Sequence, residues 1–325
     1  MKRLISAIVS LGILIAIYTK IDFAGLIEVF RDCDRLWMAI SLGMVVPLTL
    51  ATSWRLQRLM PESGLLGFGM ANRLTLAASV LYMVLPSKMG DIAKAYFIRD
   101  RGYLSGSLSL SLVVFEKACD MLSLLLWCAF GLLVYPEKGA LFWLMAVGIC
   151  GGLIAGTAIL GSSRVADFAF GLGTRAAPGG AEGKVGQKLD RLHASWTEMQ
   201  TYFWRDRGQL AVIAATSIGI WLLPLLQIGF FIFALNASVP FIANLALSPL
   251  SILAGLLPLT FAGVGTRDAA LIFFYQPYFD AQTGAALGLL CTSRYILPAI
   301  GGLPFFGQFL SRVRSERAAK TATKP

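Results

Sequence analysis

The sequence predicts an all-α fold: a polytopic helical membrane bundle of about six full spans plus two re-entrant helical hairpins, arranged as an inverted-topology repeat. Three observations predict it. Hydrophobic residues make up 57% of the 325-residue chain and charged residues 14%, against about 25% charged in a soluble domain; mean hydropathy is +0.71. Apolar runs of membrane-span length recur through most of the chain. The alternating segments of about ten residues that mark a β-barrel are absent.

The elements follow in order. Met1-Lys2-Arg3 precedes an apolar run over Leu4–Thr19. No small-x-small cleavage signal follows it, so it reads as an uncleaved first span. Full spans are expected over Leu36–Trp54, Leu108–Val134, Ala140–Gly161 and Leu210–Leu235, with a last crossing over Ala281–Leu310. Two regions, about 74–99 and 245–275, are apolar but broken by Pro and Gly and then charged. In each, Ser stands seven residues before Pro (Ser79 and Pro86, Ser251 and Pro258), and an aromatic pair follows Asp91 or Asp268 (Tyr96-Phe97, Phe273-Phe274). Paired, interrupted apolar segments in the two halves of a membrane chain point to a transport site.

Charge sets the topology. Lys and Arg concentrate in loops on the cytoplasmic side, which places Lys2 and Arg3, the Arg55–Arg73 loop, the 162–209 segment and the tail from Arg312 there, with both termini cytoplasmic. Leu74–Arg99 must then enter and leave on one side, and its apolar stretch Leu74–Pro86 is too short to span. The same arithmetic makes 245–275 re-entrant from the other side. Each half has an odd number of spans, so the halves are oppositely oriented. Counting the hairpin arms as short spans is the alternative. The domains are a first membrane half over 1–134, the first span of the second half over 135–161, a cytoplasmic segment over 162–209, the rest of the second half over 210–312 and a basic tail over 313–325. Within the cytoplasmic segment, Gly173–Gly183 reads as a flexible linker. Residues 184–204 then follow helical spacing with apolar Val185, Leu189, Leu192, Trp196, Met199 and Phe203. That helix lies on the leaflet or packs on the bundle; the sequence leaves both open.

The net charge of +10 is carried by short segments flanking spans. Anionic lipid headgroups are the expected partners, and no nucleic acid, because no basic domain interleaved with aromatics stands apart from the spans. Cys33, Cys119, Cys128, Cys150 and Cys291 are scattered, and His193 has no cluster of ligands around it. No metal and no cofactor are expected. Nucleophile-elbow, zinc-protease, phosphate-loop and dinucleotide patterns are absent, so no catalytic residue is assigned.

The candidate substrate-binding residues are the charges out of place. Lys88, Asp91 and Lys94 follow Pro86, where a broken helix frees backbone groups. Glu116 and Asp120 are four apart on one face of a strongly apolar helix, and buried acids need partners; Lys88, Lys94, Arg267 or Arg294 are the expected ones. Arg267 and Asp268 follow glycines that allow a sharp turn, and Arg267 offers a fork for phosphate. Arg294 stands alone in an apolar run, where it needs an acid or a cavity.

Three stretches resemble one family. Leu85-Pro86-Ser87-Lys88-Met89-Gly90-Asp91-Ile92-Ala93-Lys94-Ala95-Tyr96 is similar to its Pro-x-x-x-Gly-Glu-x-x-Arg-Ala motif. Val114-Phe115-Glu116-Lys117-Ala118-Cys119-Asp120 is similar to its Glu-Arg-x-x-Asp motif, and Pro258 through Asp268 to its Pro-rich, Gly-Gly-x-Gly-x-Arg-Glu motif. The family is the flippase-like transmembrane region of lysylphosphatidylglycerol synthases. The resemblance implies a lipid-translocating protein of the cell (inner) membrane, in a family linked to aminoacylated phospholipids, hopanoids and polyprenyl-linked sugars. Asp replaces Glu at Asp91 and Asp268, and Lys replaces Arg at Lys94 and Lys117, which keeps the charge but loses the bidentate fork. The synthase's aminoacyl-transferase domain is not expected here. The functional expectation is a non-enzymatic flippase-like transporter of an anionic phospholipid or lipid-linked glycan. A polyprenyl-phosphate transferase or hydrolase, and a scaffold for a lipid-modifying enzyme partner, are the alternatives.

Overall fold

A computed structural model of the protein describes residues 23–60, 66–84, 90–100, 103–177, 180–256 and 265–322. The first expected span and the Pro86, Lys88 and Pro258 positions lie outside the described residues, which are helical throughout their regular structure. The helices are α1 (Phe23–Arg31), α2 (Arg35–Gly43), α3 (Val45–Leu59), α4 (Phe68–Val84), α5 (Gly90–Asp100), α6 (Gly106–Val134), α7 (Ala140–Gly161), α8 (Ser163–Ala176), α9 (Lys184–Arg205), α10 (Arg207–Ala234), α11 (Phe241–Leu256), α12 (Thr266–Tyr275) and α13 (Ala281–Ala322). Five helical stretches among them are long and apolar enough to span: Arg35–Leu59, Gly106–Val134, Ala140–Gly161, Arg207–Ala234 and Ala281–Gly307. Each lies where the hydropathy of the sequence places one.

Local chemistry sets the boundaries. Asp34 caps α2, its carboxylate accepting from the Leu36 and Trp37 amides at 2.8 and 3.1 Å. Pro47 cannot donate to the carbonyl four residues back, and the α2–α3 joint at Met44 is the result. Ser105 caps α6 and Asp206 caps α10 through their side-chain oxygens. Pro224, Pro249, Pro298 and Pro304 sit inside α10, α11 and α13.

Helices α4 and α5 have 17 and 11 residues, and α11 and α12 have 16 and 10. At about 1.5 Å per residue the longest is about 25 Å, short of a hydrocarbon core of about 30 Å. Helices α11 and α12 form an antiparallel hairpin. Gly255 meets Arg267 near the tip, and Asn244 and Ser248 bond the Tyr275 hydroxyl near the base at 2.8 and 2.7 Å. Gly265 opens α12 at φ +104°, a conformation that glycine tolerates without strain.

Two apolar cores organise the bundle. One gathers Leu124, Cys128 and Leu132 of α6, Leu225 through Leu235 of α10, and the α11–α12 hairpin with Ala285 through Cys291 of α13. The other gathers Leu56 and Leu59 of α3, the α4–α5 hairpin, Leu112 through Phe115 of α6, Ile213 of α10, and Trp196, Met199 and Phe203 of α9, with Phe305 and Phe306 of α13 packed on it. Helices α6 and α10 therefore run through both cores, and α13 runs opposite to α6. Helices α2–α3 likewise run opposite to α10, with Met38 and Leu42 at the first core and Leu56 and Leu59 at the second. Each hairpin's first arm packs on the long helix after the other hairpin: α4 on α13, and α11 on α6. At both crossings a glycine meets a backbone carbonyl, Gly302 against Leu76 and Gly131 against Ala246. Small residues at such crossings let backbones approach.

Two expectations change. Arg55 is not in a loop: α3 continues to Leu59 because Leu56 and Leu59 are fully buried, and Arg55 itself is 2% exposed. The 173–183 stretch is shorter as a linker, because α8 reaches Ala176 and Gly180–Glu182 forms a 3-10 turn. The amphipathic helix α9 packs on the bundle: Trp196, Met199 and Phe203 are buried, and Phe203 stacks on Phe115 of α6 at 4.3 Å.

The crossings give a direct expectation. In Gly302→Ala and Gly131→Ala the new methyl meets backbone that must shift, and overpacking of this kind costs about 1–3 kcal/mol. Thermal unfolding in detergent should show a lowered midpoint for both. Gly148→Ala, with nothing near its Cβ position, should keep or raise the midpoint; equal behaviour of all three would contradict the close crossings.

Candidate functional site

The first charged constellation is a ring of ion pairs, in which buried Arg55 Nε has no hydrogen-bond partner among the described residues. Glu116 and Asp120, one turn apart on α6, both face Arg55 at the end of α3. Arg55 Nη2 donates to Glu116 at 3.0 Å, and Arg55 Nη1 bonds Asp120 and, at 3.1 Å, the Ser217 hydroxyl of α10. From α5, Lys94 Nζ reaches Glu116 at 3.1 Å and Asp91 at 2.8 Å. Lys117 closes the ring, 2.6 Å from Asp91 and 2.9 Å from Asp120. Three cations (Arg55, Lys94, Lys117) meet three carboxylates (Asp91, Glu116, Asp120), so the formal sum is zero. Arg55, Lys94, Asp91 and Glu116 are buried, while Lys117 is half exposed and Asp120 slightly exposed at the network's outer edge. Asp91 also lies in the first turn of α5, where the helix dipole favours a negative charge.

The second constellation is built differently. Arg267 and Asp268 open α12. Asp268 accepts from the Gly265 amide at 3.1 Å and from Arg267 Nε and Nη2 at 2.8 and 2.6 Å. Arg267 Nη2 also reaches the Gly288 carbonyl and the Thr292 hydroxyl of α13, each at 2.8 Å. Gly284 and Gly288 of α13, four apart, make room for Ile272 and Asp268 of α12, four apart. A side chain at Gly288 would occupy the Asp268 carboxylate's place. Arg267 Nη1 is buried and has no hydrogen-bond partner among the described residues. Arg294, 7% exposed, lies over its neighbour Tyr295 and donates to that hydroxyl at 3.4 Å; it has no carboxylate partner among the described residues.

The structure thus separates the candidate residues into two groups. Asp91, Lys94, Glu116 and Asp120 come together, Arg267, Asp268 and Arg294 line α12 and α13, and Lys88 lies outside the described residues. Of the partners expected for the two acids, Lys94 is one. Arg267 and Arg294 bond elsewhere. Arg55 is the partner that sequence reasoning missed, because it directly follows an apolar run and so looks like a loop charge; apolar Leu56 and Leu59 beyond it, three apart, are the signal that the helix continues. Ser217, Gly288 and Thr292 carried no signal of their own. No group of three or more His, Cys, Asp or Glu suited to a metal ion occurs among the described residues.

Comparison with known proteins identifies the lineage. A family model described as "Lysylphosphatidylglycerol synthase TM region" matches residues 3–302, and the chain belongs to that family. No curated protein matches it in sequence.

Removing one partner of a buried ion pair strands the other, at about 3–5 kcal/mol. Arg55→Ala should therefore strongly lower the thermal midpoint and the folded yield in detergent. Arg55→Ala combined with Glu116→Gln should recover part of the loss, since one stranded charge is gone. Strict additivity of the two changes would contradict the network.

Proposed function

From that family membership, we propose that this protein is a flippase-like carrier that takes the anionic headgroup of a phospholipid or lipid-linked glycan at α12–α13 and moves it between leaflets. The observation that carries the reading is an imbalance of charge. The network on α3, α5 and α6 is neutral and internally paired. Among the described residues the α12–α13 site holds two buried guanidiniums against one carboxylate, with Arg267 Nη1 without a hydrogen-bond partner and Arg294 beside a phenol. A buried positive excess is costly unless something anionic meets it, and a guanidinium fork suits phosphate and carboxylate.

In this reading Arg267 and Arg294 contact the headgroup, and Asp268 orients Arg267. Asp91, Lys94, Glu116 and Asp120 hold the first hairpin against α6 and α3 rather than binding cargo. The two hairpins are re-entrant from opposite faces and the halves form an inverted repeat. Opposite running directions of α6 and α13, and of α2–α3 and α10, support this, as do the reciprocal packing of α4 on α13 and α11 on α6. The protein acts in the cell membrane with both termini cytoplasmic, and without covalent chemistry on the lipid.

The test is translocation of a labelled anionic phospholipid by protein reconstituted in vesicles. A hydrogen bond to a charged group is worth about 1.5–3 kcal/mol, so Arg294→Gln should slow transport about ten- to a hundredfold while the unfolding midpoint holds. Arg267→Lys, which keeps charge but loses the fork, should fall between Arg294→Gln and the parent. Transport that ignores Arg294→Gln, or that is equally fast for zwitterionic lipid, would overturn the assignment.

A further inference from the structure

Helix α8 carries an outward apolar face that the charged sites do not use. Val165, Phe168 and Leu172 are three and four apart, so they form one stripe, and they are 36%, 73% and 58% exposed. The opposite side of α8 is committed to α9. Ala166 and Thr174 are buried there, Phe170 stacks on His193 at 4.9 Å, the Asp167 carboxylate lies 2.7 Å from His193 Nε2, and the Thr174 hydroxyl donates to Asp190 at 3.3 Å. Exposed Arg164 and Arg175 stand near the two ends of the outward stripe.

The stripe is continuous with a lipid-facing surface. Helix α7 is a span whose outer residues Trp143, Leu144, Val147 and Ile154 are strongly exposed. A single residue, Ser162, separates it from α8. The end of α7 is pinned by α9, because the Leu160 carbonyl accepts from Gln200 Nε2 and Trp204 Nε1, each at 2.9 Å. Helix α8 therefore starts where a span ends, with one side held by α9 and the other apolar side uncovered among the described residues.

We propose that α8 is an in-plane membrane helix. Val165, Phe168 and Leu172 enter the boundary between acyl chains and headgroups, and Arg164 and Arg175 reach the phosphates of anionic lipids. An apolar stripe edged by arginines is the pattern of helices that lie in the interface. The assignment moves the surface contact from α9, whose Trp196, Met199 and Phe203 are spent on protein, to its neighbour, and it is independent of which lipid the α12–α13 site takes.

Spin labels on Phe168→Cys and Leu172→Cys, in full-length protein with exposed Cys150 changed to Ser and the parent signal subtracted, test it. In vesicles of phosphatidylcholine and phosphatidylglycerol both labels should relax with oxygen and be shielded from a water-soluble nickel chelate. A label at Arg191→Cys on exposed α9 should do the reverse. Adding Arg164→Gln and Arg175→Gln should make the Phe168 label shallower in phosphatidylglycerol vesicles, with less change in pure phosphatidylcholine. Nickel access at 168 and 172 equal to that at 191 would overturn the proposal, as would label broadening that dilution with unlabelled protein removes, which would place a second copy on this face.

Discussion

The ring formed by Arg55, Lys94, Lys117, Asp91, Glu116 and Asp120 is the constraint on which the rest of the structure depends. A lone charge is expensive inside an apolar bundle, and pairing alone seldom repays desolvation unless every group is held in good geometry. The ring pairs each of its charges by drawing on four helices, leaving Arg55 Nε as a buried donor without a partner among the described residues. Helix α6 supplies two acids one turn apart, α3 brings the guanidinium that spans them, α5 brings Lys94 and Asp91, and α10 adds the Ser217 hydroxyl. Each helix is thereby fixed in rotation as well as position. Phe115, next to Glu116, then meets Phe203 and Trp196 of α9, so the surface layer is stacked on the same turn of α6.

The second hairpin uses other physics. Its fit comes from glycine, at Gly255, Gly265, Gly284 and Gly288, which lets backbone and the Asp268 carboxylate come close. Among the described residues its charge is unbalanced, with Arg294 beside Tyr295 and a spare donor on Arg267. Among the described residues the first site is charge-neutral and the second carries an excess of positive charge; on the proposed reading the first holds and the second takes an anion. This contrast, rather than the presence of charge in the membrane, separates a binding site from a structural clamp.

Much of this was legible in the sequence. The five described spans followed from hydropathy, the short helices flanking the two interrupted regions from their broken apolar runs, and the acid pair from i,i+4 spacing. The three motifs indicated the family that the match over residues 3–302 establishes. Arg55 was not legible, because charge counting along a chain treats an arginine after an apolar run as a loop residue. Its partners lie 61 and 65 positions away, and no local pattern encodes that distance. The pairing of Arg267 with Gly288 and Thr292 was hidden for the same reason. The roles of α8 and α9 were hidden because periodicity shows that a helix has an apolar side but not what covers it: α9 covers its own against Phe115, whereas α8 divides its surface between α9 and the outside.

The central claim is that the anion site lies at α12–α13 and that the ring on α3, α5 and α6 is closed. A cryo-electron microscopy map of the protein in nanodiscs of anionic phospholipid tests both parts at once. The account predicts headgroup density against Arg267 and Arg294, with the Arg55–Glu116 and Lys94–Glu116 contacts intact. Headgroup density among α3, α5 and α6, with Lys94 drawn away from Glu116, would contradict it.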